Sequence, residues 1–191
     1  LEQADLIPIP RDKHLSTFDG LSTKRKLELL EVPDSVKDYI WHSKQQATLK
    51  LIDEFTIDKR LKELLINLKS ENYTIACATN SIRDTAKLQL IRKGFMEHID
   101  FLISQTDVDN PKPHTEMYLK SMIRAGVDPT ETLIIEDSHI GRKGAINSGA
   151  HLCGVENTKD VTYVKIKNAI NEADGKSSVK PKWQGGEMNV L

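Results

Sequence analysis

Two cysteines, no long apolar run and almost no net charge set the first limits on this chain. No stretch approaches the ~20 apolar residues of a bilayer-spanning helix, which excludes such a span. Lysine and arginine total 27 against 28 acids, a net charge of −1. That leaves no basic footprint for nucleic acid or an anionic membrane. There is no CxxC and no Cys/His cluster, so a zinc site is excluded. Cys77 and Cys153 each sit inside an apolar run and read as two buried free thiols, which suits a reducing cytoplasm. No signal peptide is visible, and the chain opens on Leu1, so a native start is expected to be missing. The 191 residues are enough for one or two domains with a real core.

What is present falls into two halves. Residues 1–56 read as helical after an irregular start held extended by Pro8 and Pro10. Thr23 is expected to cap a helix carrying Leu27, Leu29 and Leu30, and Pro33-Asp34-Ser35 to start another. From Asp58 the pattern alternates. Helices are expected over 61–68, 85–93, 115–125 and 142–148, the second and third ended by Gly94 and Gly126. Strands are expected over 73–78, 101–104, 132–136 and 152–155. Such alternation argues for parallel βαβ units. From about Ala173 the chain is rich in Gly, Ser, Lys and Pro and reads as a linker. The expected organisation is a helical cap at 1–56, an α/β core at 57–172 and a tail at 173–191.

Three strand ends carry polar residues of complementary kinds. The apolar run Leu133-Ile134-Ile135 ends in Glu136 and Asp137, and ligands of open α/β sheets collect at the carboxyl ends of strands. Two adjacent carboxylates there suit Mg²⁺, which binds oxygen and is often shared with a phosphate. The strand at 73–78 runs into Thr79 and Asn80, where a hydroxyl and the free N–H groups of a following helix would form an anion site. Lys112 is held between Pro111 and Pro113, so its ammonium is aimed. Each feature alone has an ordinary alternative: a helix cap, a solvated lysine, a solvent-facing acid pair. Together they form a Mg²⁺ and phosphate constellation.

That constellation resembles the haloacid dehalogenase-like (HAD) phosphohydrolase superfamily, and within it the β-phosphoglucomutase-like phosphatases with a helical cap. CATNSIRDT is similar to the second motif, NPKPHTEMYLKSM to the third and LIIEDSHIGRKGAINSGA to the fourth. The resemblance covers residues 14–160. It implies a Rossmann-like parallel sheet, Thr79 and Asn80 as phosphate-binding residues, Lys112 as the phosphate-neutralising lysine, and Asp137 and Glu136 as Mg²⁺ ligands. FDGLSTKRKLELL looks like the cap's substrate loop, which implies that Lys24 and Lys44 face the substrate. The family's first motif, DxD at the end of a central strand, has no match here. Asp19 lacks a preceding apolar strand and falls in the cap loop, and Asp5 and Asp12 also lack a strand context.

The reading is a HAD-like α/β domain with a helical cap and without its central first strand. Its parent would be a cytoplasmic Mg²⁺-dependent phosphatase of a small phosphate ester, such as a sugar phosphate, whose aspartate nucleophile lies upstream. The alternatives are a sugar phosphomutase and a non-catalytic phosphate-binding module. The chain alone is expected to be inactive. Gly185 to Leu191 looks like the opening of a sugar nucleotidyltransferase domain, which implies a covalent fusion.

Overall fold

A computed structural model describes residues 7–175; the nucleotidyltransferase-like segment lies outside the described residues. A short helix α1 (Arg11–Lys13) runs into a π-helical turn at His14–Phe18, then α2 (Thr23–Leu29) and α3 (Asp34–Asp53) span the rest of the segment expected as the cap. Ser22, not Thr23, caps α2: its side chain accepts from the N–H of Arg25, and Ser22 holds the extended backbone a cap requires. The core follows as α4 (Lys59–Ser70), β1 (Ala76–Thr79), α5 (Arg83–Lys93), β2 (Phe101–Ser104), α6 (Glu116–Ala125), β3 (Leu133–Glu136), α7 (His139–Asn147), β4 (His151–Gly154) and α8 (Tyr163–Gly175). The last helix crosses the expected start of the tail. Its Ile166 and Ile170 pack with Leu64 and Leu68 of α4, which gives the segment an apolar face to bury.

The strands pair as two parallel couples, β1 with β2 and β3 with β4. The two couples share one apolar core. On one face Met117, Tyr118 and Met122 of α6 pack with Phe101 and Ile103 of β2 and with Ile134 and Leu152 of β3 and β4, with Ala78 of β1 against them. On the other face α4 and α8 gather Ile75, just before β1, and Leu133 of β3. β1 and β3 share no ladder, and among the described residues each keeps one edge unpaired. Ala76 and Ile135, on these two strands, are exposed. The expected sheet without its central strand thus takes the form of two separate couples. The helix ends obey local chemistry: Gly94 and Gly126 adopt φ of 75° and 71° as C-caps. Among the described residues no helix is long and apolar enough to cross a membrane.

Candidate active site

β3 delivers Glu136 at its carboxyl end, and the chain turns at once into α7. Ser138 caps that helix by accepting from Gly141 N–H at 3.0 Å. The Ser138 hydroxyl and amide also donate to Glu136 Oε1, at 2.8 and 3.0 Å. The other oxygen, Oε2, accepts from Lys112 Nζ at 2.7 Å and from the Tyr118 hydroxyl at 2.9 Å. Glu136 is buried and Lys112 nearly so, with side chains 8% and 9% exposed. A Cβ on Gly141 would overlap the Glu136 carboxylate, so only glycine fits there. Burial alone would raise the Glu136 pKa; the Lys112 charge and the Lys112 and Ser138 hydrogen bonds outweigh it and hold it down at about 2.

Lys112 is fixed from the β1 side by Asn80. The Asn80 Oδ1 accepts from Lys112 N at 3.0 Å, while its Nδ2 donates to Lys112 O at 3.1 Å and to Gly20 O at 2.8 Å. Asn80 thus joins β1, the Lys112 turn and the cap loop. Thr79 ends β1, and its Oγ1 accepts from Ser81 N at 3.1 Å in a local turn. The expectation that Thr79 and Asn80 open a helix is corrected: α5 starts at Arg83, because Ile82 keeps an extended backbone. A helix N-terminus therefore does not sit directly on Thr79.

Asp137 is exposed beside this buried pair. Partial desolvation, then the adjoining Glu136 carboxylate, and Asp19 of the cap raise its pKa. Such crowding of negative charge is what a bound cation relieves, so the donor chemistry fits Mg²⁺. Asp137 is the more exposed of the two acids, whereas both oxygens of Glu136 already accept hydrogen bonds. Among the described residues no three His, Cys, Asp or Glu side chains converge on one point. Further oxygen ligands would have to complete the shell. Cys77 lies within range of the Lys112 and Glu136 charges, but burial raises its pKa, which keeps it a thiol.

The cap reaches the site through its loop. Gly20 has φ of 76°, and a Cβ there would approach Ser138 Oγ to 3.0 Å. Lys24 is exposed. Lys44 is exposed by area, yet desolvation lowers its pKa. Lys26 is the cap lysine that sequence reasoning missed. Desolvation lowers its pKa against Asp19, it feels Lys44, and its Nζ is 3.4 Å from His14 Nε2. Its place on the buried side of α2, one residue before the core Leu27, was the available signal. Ser138 and Tyr118 were also missed. Ser138 directly follows the acid pair and Tyr118 falls inside the expected helix 115–125, and neither position by itself signals contact with Glu136.

Comparison with known proteins gives these strand ends a context. Residues 1–155 match the family described as haloacid dehalogenase-like hydrolase. A pyrophosphatase PpaX of Bacillus velezensis is 25% identical over 154 residues, 81% of this chain and 67% of that protein. A phosphorylated carbohydrates phosphatase of Thermotoga maritima is 27% identical over 159 residues, 81% of this chain and 70% of that protein. Among solved structures, the β-phosphoglucomutase of Clostridium difficile superposes with a TM-score of 0.76 at 23% identity, covering 91% of this chain and 87% of the other.

Proposed function

This chain belongs to the haloacid dehalogenase-like hydrolase family, and we propose that its strand-end site serves a Mg²⁺-dependent phosphohydrolase of small phosphate esters. The observation that carries the reading is the buried Lys112–Glu136 pair, pinned by Asn80 next to Thr79. A lysine held there neutralises phosphoryl oxygens without a search through its rotamers. The names of the two relatives, a pyrophosphatase and a phosphatase of phosphorylated carbohydrates, favour small phosphorylated substrates. A sugar phosphate is the substrate class we assign first. The two free thiols suit a reducing cytoplasm.

The roles divide by chemistry. Lys112 donates to phosphoryl oxygens, and as an ammonium it has no lone pair with which to attack. Thr79 and Asn80 line the same end of β1, Thr79 offering its hydroxyl to the phosphoryl group and Asn80 fixing the Lys112 backbone. Bound Mg²⁺, held by Asp137 with Glu136 behind it, would supply neutralising charge. Lys24 and Lys44 remain candidates to face the substrate from the cap. We assign the attack on phosphorus to none of the described residues. Attack therefore needs a carboxylate from outside them: its oxygen bonds to phosphorus while the ester P–O bond breaks, and water then hydrolyses the acyl phosphate. On this reading residues 1–191 alone turn over no ester.

The test is an assay with Mg²⁺ and an aryl phosphate on this chain and on a version extended upstream along its gene. Turnover by the extended chain alone, lost in Lys112→Ala, is expected. Comparable turnover by both would contradict the assignment of the nucleophile.

A further inference from the structure

The Lys112 ammonium meets two groups that are themselves joined. Its Nζ lies 2.7 Å from Glu136 Oε2 and 5.0 Å from the centroid of the Tyr118 ring. The Tyr118 hydroxyl donates to that same Oε2 at 2.9 Å and lies 3.2 Å from the carbonyl oxygen of Gly141. A single side chain thus touches both members of the ion pair, one with its polar tip and one with its ring.

Tyr118 is well placed to hold rather than follow. It is 4% exposed and sits between Met117 and Met122 in the core. A Cβ on Gly144 would come within 3.2 Å of the Tyr118 ring, so α7 closes against it. A tyrosine hydroxyl carries one proton to donate, and Glu136 Oε2 is within reach to accept it. The two carboxylate oxygens divide their partners. Oε1 is held by Ser138 and Asp137 N–H, whereas Oε2 is shared by Lys112 and Tyr118. A packing role would need only the ring; the hydroxyl defines where Oε2 stands.

We propose that Tyr118 is a positioning residue for Lys112. Its hydroxyl fixes the Glu136 carboxylate and its ring flanks the ammonium, so Lys112 stands at the strand ends before any ligand arrives. Lysine has a long flexible stem, with much rotamer entropy to lose. Losing it in the fold removes that cost from ligand binding. The consequence for phosphate rests on the reading of Lys112 given above; the positioning itself does not.

The experiment uses ¹⁵N-lysine-labelled chain and reads hydrogen exchange at the Lys112 ammonium by NMR, the signal being identified by its loss in Lys112→Arg. Slow exchange is expected in the parent. Tyr118→Phe, which keeps the ring, should speed it about fivefold, the equivalent of one net hydrogen bond. Tyr118→Leu should speed it further; if that variant does not fold, Tyr118→Phe decides alone. Backbone amides of α6 and β3 should keep parental exchange in Tyr118→Phe. Unchanged Lys112 exchange in Tyr118→Phe would overturn the proposal, and so would a rise matched by those amides, which marks general loosening. Inorganic phosphate added to the parent provides the separate arm. A Tyr118→Phe effect without a phosphate-induced shift of the Lys112 signal would keep the positioning and reject the phosphate reading. A phosphate shift without a Tyr118→Phe effect would do the reverse.

Discussion

Asn80 binds the backbone of Lys112 through both ends of its amide, accepting from its N–H at 3.0 Å and donating to its carbonyl at 3.1 Å. The same Nδ2 reaches Gly20 O at 2.8 Å. One side chain at the end of β1 therefore ties the lysine turn to the cap loop. Asn80→Ala leaves these part-buried groups unmatched and should cost about 2 kcal/mol. Urea unfolding measures the cost, and hydrogen exchange should rise in residues 18–22 before it rises in α6.

Lys112→Ala leaves Glu136 buried and charged without its cation, a loss of about 3 kcal/mol. Adding Glu136→Gln to that variant should restore part of the loss, because the unpaired charge goes with it. Denaturant unfolding of the single and double variants checks this; a double variant weaker than the single would contradict it.

Gly141→Ala should destabilise by about 1–3 kcal/mol, the range for overpacking a filled site. The new methyl would overlap the Glu136 carboxylate. Gly126→Ala, where nothing lies within 4 Å of the added Cβ, meets no such clash and is strained only by its φ of 71°. Comparing their unfolding midpoints separates overlap from backbone strain.

The acid limb of stability should carry the mark of Asp107. Burial would raise its pKa, but Arg83 at 2.5 Å and the Ser104 hydroxyl and amide prevail and hold it at about 2. An unfolded aspartate titrates near ~3.9, so between these values the unfolded chain binds more protons. The contribution, about 2 kcal/mol, is fully present above roughly pH 5 and is lost as pH falls through about 2. Asp107→Asn should be the weaker protein near neutrality, and the gap should close toward pH 2. A gap independent of pH would contradict the sign.

Much of this architecture was legible because strand ends are written locally. Leu133-Ile134-Ile135 followed by acids gave β3 and its terminus, and Phe101–Ser104 fell on the expected residues. Gly94 and Gly126 marked helix ends by the one conformation that favours glycine. What stayed hidden depends on distant partners. The hold of Lys112 and Tyr118 on Glu136 spans 24 and 18 residues, and no local pattern announces it. α8 was read through because its face is apolar only against α4. α5 begins at Arg83, two residues before the expected start, yet not at Thr79 and Asn80, since Thr79 makes a turn of its own.

The central claim is that Thr79, Lys112 and Asp137 receive a phosphoryl group and its metal. A crystal of this chain soaked with tungstate and Mn²⁺ tests it most directly, tungstate standing for phosphate and Mn²⁺ for Mg²⁺. The account predicts anomalous density for tungsten within hydrogen-bond reach of Lys112 Nζ and Thr79 Oγ1, and for manganese on the Asp137 carboxylate. Tungstate bound elsewhere while these strand ends stay empty would contradict it.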